Sequence, residues 1–453
     1  VMQSLGSIDH NLQFLILEVI RQVERTRVYL RNPSEKTHQV IVRGDDYIDH
    51  LRTIIQRKCF ALAREVDQND RFEMELLKSL DQITANLERI ADFCESIVGQ
   101  FLYLEDRESM ENLRVEENFD RIVEGLESIE PALRDRDVHA ALDICRIESR
   151  LDELHATTFR EVLSRLDRGK DAQTEVTLLF MSLYFVRMGD SMLNIGESLL
   201  SASLGERIKI DEFRALRESV EDSDAFETEV SPDLLAVEAL GETRSGCRID
   251  RVSDRSKDEE RMVVFKEGPA DKLLGEKKCV DRWNELLPGF APQIYSFQHR
   301  ENSGAILFEY LPGRTFEELV LRSEPRLLSE GLEHLQASLR EIWTRTREDR
   351  PTRSDFIHQI AKRIDSVYEL HPDFRTGNVS FGGLQVDPFD SLIERLLPID
   401  DLLESPFSVL GHGDLNSDNV IFDDAQKAIR FIDLHRSRPM DYAQDLSVLL
   451  VSH

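Results

Sequence analysis

The sequence predicts a multidomain protein in which an all-α bundle, built from a repeated three-helix unit, precedes a bilobal α+β domain. Apolar residues recur at spacings of three and four up to about residue 204, which is the period of amphipathic helices. Short strand-like runs broken by turns begin near residue 233. The 453 residues suffice for two or three domains, since a domain usually has about 150 residues.

The charge balance and cysteine usage limit the function classes. The chain has 57 Lys plus Arg against 87 Asp plus Glu, a net charge of -30, so long-range repulsion disfavours a nucleic acid partner. Its five cysteines are widely spaced without a CxxC pair, which argues against a disulfide framework or a zinc site. The apolar runs are shorter than the roughly 20 residues that cross a bilayer. We therefore expect a cytoplasmic protein that does not span a membrane.

The helical region, about residues 1–210, contains an internal repeat at a spacing of roughly 100 residues. The matching segments are GDDYIDHL (Gly44–Leu51) with IESRLDEL (Ile147–Leu154), and NLERIADFCESI (Asn86–Ile97) with YFVRMGDSMLNI (Tyr184–Ile195). The match predicts two three-helix repeats, about residues 12–105 and 115–205, packed as antiparallel helices.

Beyond residue 210 the composition changes twice. Segment 211–232 is acidic and has no apolar period, which predicts a linker. Residues 233–315 contain the strand-like runs and residues 316–453 are largely helical in pattern, so we expect a sheet-rich N-lobe before a helical C-lobe. The chain stops abruptly at His453, and we expect the C-lobe to continue beyond it.

The most specific motif is HGDLNSDN at residues 412–419, followed by a strand-like run and then by IDLHRSRPMDYAQD. An Asp, an Asn five residues later and a second Asp after the next strand reproduce the spacing of a kinase catalytic loop. An acceptor hydroxyl needs a carboxylate that accepts its proton, so Asp414 is the candidate base and His412 orients its loop. ATP phosphates need Mg²⁺ held by oxygen ligands, for which Asn419 and Asp433 are the candidates.

Residues upstream of this motif fit the nucleotide-binding part of a kinase. Lys266 ends a strand-like run and can reach ATP phosphates, and Glu276 on the next predicted helix can pair with it. Ser245 in the turn LGETRSG can donate to phosphate oxygens, although a simple hairpin turn explains the segment equally well. Glu309 and Leu311 lie where a strand meets Pro-Gly, and their backbone groups are candidate adenine contacts at a hinge between the lobes.

These residues resemble the aminoglycoside phosphotransferase and choline kinase superfamily, over about residues 233–453. The family pattern is matched by His412, Asp414, Asn419, Asp433, Asp441 and Asp445. The resemblance implies a protein-kinase-like bilobal fold, the cofactors ATP and Mg²⁺, and Asp414 as the catalytic aspartate, with Asp445 bracing the loop. Gly413 stands where a protein kinase usually carries Arg, which favours a small-molecule acceptor.

The helical repeat carries acidic residues four positions apart, which places each pair on one face of a helix. The first repeat offers Asp45 and Asp49 on one predicted helix, and Glu88 and Asp92 on another. The second repeat offers Glu148, Asp152, Asp190, Asn194 and Glu197. Facing pairs can hold a hard or transition metal ion, whereas the alternative is that these carboxylates are solvated surface groups.

The segments LERIADFCESI and FVRMGDSMLNIGESL resemble the paired signatures of PhoU-like domains, over about Leu12–Leu204. This resemblance implies metal binding and a role in the control of phosphate uptake. The fusion to a kinase-like domain suggests in addition that the bundle docks to a membrane transporter or a signalling partner. Val186 stands where the pattern has an acid, and Ser96 and Gly99 stand where it has Asn and Glu.

The sequence thus predicts an ATP–Mg-dependent phosphotransferase that acts on a hydroxyl of a small molecule, joined to a PhoU-like regulatory or docking domain linked to phosphate sensing. We favour a metabolic kinase for an amino alcohol or sugar over an aminoglycoside-resistance kinase, because resistance does not require a PhoU-like partner. A nucleotide-binding pseudokinase or regulatory scaffold is the third alternative. The acceptor stays open, and so does a homodimer.

Overall fold

The computed structural model falls into two compact units, the first formed mainly by residues 1–221 and the second mainly by residues 263–453. Strand β1 (Leu235–Glu242) and most of β2 (Arg248–Asp254) belong to the first unit. The described residues are 2–67, 70–105, 107–223, 235–242, 247–254, 262–300, 303–322, 325–353, 355–375, 377 and 379–451.

Two successive groups of three long helices form the bundle. The first repeat contains α1 (Met2–Arg31), α2 (Glu35–Leu62) and α3 (Arg71–Phe101), and the second contains α4 (Val115–Asp135), α5 (Val138–Asp167) and α6 (Ala172–Leu204). Side-chain oxygens of Ser34, Asp70, Asp137 and Asp171 accept backbone N–H groups and so cap α2, α3, α5 and α6. This architecture confirms the predicted all-α bundle of three-helix repeats.

Helix α6 occupies the core of the bundle. Within the described residues it is the one helix long and apolar enough to cross a membrane, and half of its most apolar window is buried inside the protein. It packs against both α3 and α5, and its side chains Met181, Phe185 and Met192 are fully buried. The apolar composition of α6 is therefore explained by contacts with two neighbouring helices.

The first part of the segment expected to be a linker is a helix, α7 (Ile210–Glu221). Phe213, Leu216 and Val220 are buried on one of its faces, at the spacings of three and four that a helix requires. Charged residues stand between and around them, so the segment looks acidic although it has an apolar face. The expectation that the segment from residue 211 has no apolar period is therefore wrong for this stretch.

The first strands build a sheet-rich lobe. β1 and β2 are neighbours, and β3 (Met262–Pro269), β5 (Ser303–Glu309) and β4 (Ile294–His299) follow one another in that order with antiparallel pairing. Helix α8 (Ala270–Leu286) comes directly after β3. The sequence did not predict β2, because the run RIDRVSD buries Asp250 beside Val252 and shows no apolar alternation.

A larger, mostly helical lobe follows. Its helices are α9 (Phe316–Arg322), α10 (Pro325–Arg345), α11 (Phe356–Leu370), α12 (Phe389–Asp400) and α13 (Tyr442–Val451). Its short strands are β6 (Arg314–Thr315), β7 (Thr352–Arg353), β8 (Val379–Phe381), β9 (Leu384–Val386), β10 (Glu404–Ser405), β11 (Val409–Gly411), β12 (Val420–Asp423), β13 (Ala428–Phe431) and β14 (Arg438–Met440). The predicted bilobal α+β architecture is confirmed.

Two antiparallel pairs in this lobe fix the position of the HGD motif. β11 pairs with β14, and β12 pairs with β13 and β6. The motif lies between β11 and β12, and Asp433 lies just after β13. A core that includes Trp283, Phe422 and Phe431 packs beneath these strands, so the loop is held on a rigid support.

Candidate active site

His412 orients the backbone of the loop. Its Nδ1 accepts the N–H of Asp414 at 3.3 Å, so its Nε2 carries the proton and donates to the carbonyl of Ile432 at 3.0 Å. The ring is 2% exposed, and burial lowers the pKa of His412, which keeps the imidazole neutral. A neutral ring with both nitrogens engaged is suited to holding Asp414 in place.

Asp445 on α13 braces the same loop. Its Oδ2 accepts the N–H of His412 at 2.7 Å and its Oδ1 accepts the N–H of Gly413 at 2.8 Å. A buried carboxylate with two backbone donors fixes two successive peptide groups. The contacts of Asp445 are those expected of a bracing residue.

Gly413 is required by the backbone geometry of the loop. Its φ is +84°, a left-handed conformation that side chains rarely adopt, and a Cβ at this position would come within 2.3 Å of the carbonyl oxygen of Arg436. The glycine therefore permits a close approach of two backbone segments, which adds a structural reason to the one inferred from the sequence.

The Asp414 carboxylate has two side-chain partners that sequence reasoning missed. Asn416 Nδ2 donates to Asp414 Oδ1 at 2.8 Å, and Arg436 Nη1 lies 3.1 Å from Asp414 Oδ2. The Asp414 side chain is 21% exposed, so the carboxylate is oriented yet reachable from solvent. Asn416 could be found from its place inside the motif, whereas no motif spacing points to Arg436.

Asn419 and Asp433 both present oxygen atoms suited to a hard cation. Asn419 donates through Nδ2 to the carbonyl of Asp414 at 2.9 Å, which leaves its Oδ1 as an acceptor. Asp433 accepts Lys266 Nζ at 2.9 Å and His435 Nδ1 at 3.0 Å, both on Oδ1. No described residue donates to Asp433 Oδ2, so an amide and a carboxylate oxygen fit the ligand preference of Mg²⁺.

Lys266 on β3 and Glu276 on α8 form a buried ion pair. Lys266 Nζ lies 2.8 Å from the Glu276 carboxylate, and the two residues are 3% and 2% exposed. Burial acts to lower the pKa of Lys266, but the charges of Glu276 and Asp433 outweigh it and raise that pKa. Burial also acts to raise the pKa of Asp433, yet the hydrogen bond from His435 and the charge of Lys266 hold it below its usual value. Lys266 and Asp433 are therefore both charged.

The hinge residues lie at the end of β5. Glu309 uses its side chain within the protein, since it accepts the N–H of Gln293 at 3.1 Å and pairs with Arg430 at 3.3 Å. Leu311 is 6% exposed. Because the Glu309 side chain is engaged by Gln293 and Arg430, the hypothesis of adenine contacts at the hinge rests on backbone groups. Ser245 lies outside the described residues.

The four candidate carboxylates of the first repeat lie close together. Burial raises the pKa of Asp45 to about 7, and the charges of Asp92, Glu95 and Glu88 add to this effect. Asp49 repels both Glu88 and Asp92, and Asp45 Oδ1 is buried without a hydrogen bond. Even so, no group of three or more His, Cys, Asp or Glu side chains in the described part of the chain has the arrangement of a formed metal site.

The candidates of the second repeat engage separate partners. Asp190 pairs with Arg187 at 3.1 Å, and Glu148 accepts the Ser149 hydroxyl at 3.0 Å. Asn194 donates to Asn86 at 3.3 Å, and Glu197 accepts the N–H of Ile210 at 3.1 Å. For Asp152, the structure shows a charge interaction with His155. These contacts do not bring the five side chains together as ligands of one metal ion.

Comparisons with known proteins match both halves of the chain. The sequence model of the phosphotransferase enzyme family, APH, matches residues 248–453, and that of the PhoU domain matches residues 15–100 and 115–199. A phosphate-specific transport system accessory protein PhoU homolog of Caulobacter vibrioides is 30% identical over 178 residues, which cover 38% of this chain and 75% of that protein. An aminoglycoside 3'-phosphotransferase of Salmonella typhimurium is 27% identical over 207 residues, covering 46% of this chain and 73% of that protein.

A solved structure, PhoU from Pseudomonas aeruginosa, aligns at 17% identity with a TM-score of 0.39, over 44% of this chain and 97% of that one. The PhoU match ends at residue 199 and the APH match begins at residue 248. The change from long helices to strands falls between these two residues. The chain belongs to the PhoU family through its N-terminal domain, which is fused to a C-terminal phosphotransferase domain of the APH family.

Proposed function

We propose that the C-terminal domain transfers the γ-phosphoryl group of ATP to a hydroxyl group of a small molecule. The observation that carries this proposal is the Asp414 carboxylate, which is oriented by Asn416 and Arg436 and remains partly exposed. The buried pair of Lys266 and Glu276, with Asp433 on the same ammonium group, supports it by offering a charged lysine for ATP phosphates.

In this proposal Asp414 accepts the proton of the acceptor hydroxyl through its solvent-facing carboxylate. His412 and Asp445 hold the loop so that the carboxylate does not have to be ordered when the acceptor arrives. Lys266 stabilises phosphate charge. Phosphoryl transfer needs little covalent chemistry from a protein, so orientation and charge stabilisation supply most of the rate increase.

Asn419 and Asp433 would hold Mg²⁺ bound with the nucleotide, through the amide oxygen and the carboxylate oxygen that accept no hydrogen bond from described residues. A bound Mg²⁺ neutralises charge on the ATP phosphates. The two residues themselves arrange their oxygens by fixed hydrogen bonds, from Asn419 to the Asp414 carbonyl and from Lys266 to Asp433.

The test is ATP consumption by the full chain with Mg²⁺, across amino alcohols, sugars, nucleosides and aminoglycosides. Asp414→Asn should reduce acceptor-dependent kcat by roughly 10² to 10⁴-fold while ATP still binds, because the proton acceptor is lost. Asp418→Asn, an exposed Asp four residues along the same loop, is the matched control and should leave kcat near the wild-type value. Unchanged turnover in Asp414→Asn would remove Asp414 as the base.

An aminoglycoside is the second candidate acceptor. Its support is that relatives from Salmonella typhimurium and Escherichia coli, each 27% identical over 207 residues, are aminoglycoside 3'-phosphotransferases. Turnover with aminoglycosides, at kcat/KM above that of amino alcohols and sugars, would select this candidate. The reverse order would select a metabolic acceptor.

We further propose that the PhoU domain regulates the phosphotransferase in response to phosphate status, in the cytoplasm where ATP is present. The fusion itself supports this role, as do relatives that are phosphate-specific transport system accessory proteins. Docking to a membrane transporter or a signalling protein is the corresponding partner hypothesis. The check is kcat of the full chain in cells or extracts from phosphate-rich and phosphate-starved cultures, and an equal kcat in both conditions would count against regulation.

A divalent metal ion at Asp45, Asp49, Glu88 and Asp92 is a separate proposal for the first repeat. The support is electrostatic, since burial and the charges of neighbouring carboxylates raise the pKa values of Asp45, Glu88 and Asp92, and Asp45 Oδ1 has no hydrogen bond. Equilibrium dialysis with Mn²⁺ should show a bound ion that Asp45→Asn removes and Asp190→Asn in the second repeat retains. Equal Mn²⁺ binding by wild type and Asp45→Asn would contradict the proposal.

A further inference from the structure

A cavity of about 610 Å³ lies within the PhoU domain, between helices of both repeats. Its walls come from the end of α2, the first half of α3, the last third of α6 and the segment 206–209. None of Asp45, Asp49, Glu88 and Asp92 lines it. Apolar side chains form part of the wall, namely Cys59, Phe60, Met74, Leu77 and Ile208.

Ser79 is the first sign that this cavity holds a ligand. The residue lines the cavity and is 2% exposed, yet its hydroxyl oxygen has no hydrogen-bond partner. Ser198 and Ser201, which also line the cavity, donate to the carbonyl four residues earlier at 2.7 Å, as helical serines commonly do. A buried hydroxyl without a partner is costly, and a ligand atom in the cavity would supply that partner.

The charged groups of the wall indicate the kind of ligand. Its carboxylates already accept hydrogen bonds: Glu75 from Lys78, Asp81 from Gln56, Glu197 from the N–H of Ile210, and Glu206 from the N–H of Arg207. By contrast, the side chains of Arg207 and Lys209 donate to no described residue. The exposed cations Arg207 and Lys209 and the Ser79 hydroxyl can therefore donate to a ligand, and the charge of Arg207 also acts on the Glu75 carboxylate of the same wall.

We propose that this cavity binds an organic anion of metabolite size. Its carboxylate or phosphate ester group accepts hydrogen bonds from Ser79, Arg207 and Lys209, and its apolar body lies against Leu77 and Ile208. The volume of about 610 Å³ lies within the range of small-molecule sites, roughly 300 to 1,000 Å³, and is larger than an inorganic phosphate ion needs.

Residues beside the cavity contact strand β1. Glu206, beside Arg207, accepts the N–H of Ala239 through Oε2 at 3.4 Å, and Arg71 at the start of α3 pairs with Glu238 at 2.9 Å. β1 runs to Glu242 and so contains the first three residues of the segment LGETRSG, which the sequence reads equally well as a phosphate-binding turn or a simple hairpin turn. A ligand that orders Arg207 and Lys209 thus also orders the segment that holds β1. This regulatory consequence rests on the proposed phosphotransferase function, whereas the binding site does not.

The experiment is calorimetric titration of the full chain with saturating ADP and Mg²⁺, which occupy the nucleotide site. The probes are phenyl phosphate, benzoate, phenol and inorganic phosphate, so that the phosphate ester, carboxylate, neutral and bare-anion cases are separated. We expect phenyl phosphate or benzoate to bind saturably, and phenol and inorganic phosphate to bind at least about tenfold more weakly, since each lacks one half of the recognition.

Ser79→Ala and Arg207→Gln should each weaken binding of the preferred probe by about tenfold, because each removes a donor to an anion. Ser79→Ala should fold normally, since the hydroxyl that it removes has no partner. Ser191→Ala is the matched control, a buried serine of α6 outside the cavity, and should keep wild-type affinity. Affinity unchanged in both Ser79→Ala and Arg207→Gln, or no saturable binding of either organic anion, would overturn the proposal. Neither readout requires kinase turnover, so the outcome is independent of the Asp414→Asn test.

Discussion

Gly413 has no side chain, and this permits the backbone geometry of the HGD loop. The loop passes so close to the backbone at Arg436 that a Cβ would meet its carbonyl oxygen at 2.3 Å. Arg436 in turn reaches Asp414 Oδ2 at 3.1 Å. The glycine therefore permits the approach through which one segment orients the carboxylate of the other.

Gly413→Ala should lower kcat by at least about tenfold and destabilise the domain. The left-handed φ of +84° costs an L-residue roughly 1–2 kcal/mol, and the clash with the Arg436 carbonyl adds to this. Steady-state kinetics and thermal unfolding provide the measurement. Gly275→Ala in α8 is the control, because a Cβ there meets nothing within 4 Å and alanine favours a helix by about 1 kcal/mol. Equal kcat and Tm in the two variants would contradict this account of Gly413.

At the scale of elements, the ammonium group of Lys266 connects a strand, a helix and a loop of the second unit. Lys266 belongs to β3, Glu276 to α8, and Asp433 follows β13, and Lys266 Nζ lies within 2.9 Å of both carboxylates. Removing one partner of a buried pair leaves the other charge uncompensated, whereas replacing both by apolar residues is far less costly. Lys266 therefore both stabilises the fold, by pairing with Glu276, and holds the Asp433 carboxylate in position.

Lys266→Met should destabilise the domain by roughly 3 kcal/mol and abolish turnover, because Glu276 stays buried and loses its principal cation. The double variant Lys266→Met with Glu276→Leu should recover most of the stability and none of the activity. Urea unfolding followed by activity measurement distinguishes the two effects. A double variant as unstable as the single one would show that the Lys266–Glu276 interaction is not the source of the loss.

The whole molecule contains two units with separate cores, so ligands of one should stabilise that unit first. Calorimetric unfolding should resolve two transitions. A non-hydrolysable ATP analogue with Mg²⁺ at 100 times its Kd stabilises its domain by about 2.7 kcal/mol, which raises the Tm of a domain of this size by roughly 5 °C or more. Lys266→Met should lose this shift and Asp414→Asn should retain it. A single transition, or two transitions that rise equally, would contradict independent unfolding.

Sequence reasoning predicts those parts of the molecule in which chemistry dictates spacing. In the proposed function, the interval from Asp414 to Asn419 and the return to Asp433 after one strand place a base and cation ligands around one phosphate. Likewise, the repeated helices follow from apolar periodicity, because α3 and α6 bury continuous faces.

Other features depend on contacts that periodicity does not encode. Strand β2 contains a buried Asp250, and the three buried apolar residues of α7 stand among charged residues. Neither element therefore shows a clear apolar pattern in the sequence. Arg436 reaches Asp414 only because β14 pairs with β11 and returns the chain to the loop. The hydrogen bond from Ile210 to Glu197 likewise follows from packing between α6 and the start of α7, whereas Asp190 pairs locally with Arg187 on its own helix.

The contacts of Ala239 have a consequence for the exposure of strand β1. β1 is an end strand, with β2 as its neighbour in the sheet, and both polar backbone groups of Ala239 point to the bundle: its N–H to Glu206 and its carbonyl to Arg71. An end strand with free backbone groups recruits strands from other molecules into mixed sheets. Because β1 belongs to the first unit, a chain that began at residue 233 would carry this strand without Glu206 and Arg71, and the backbone groups of Ala239 would be open to strands of other molecules.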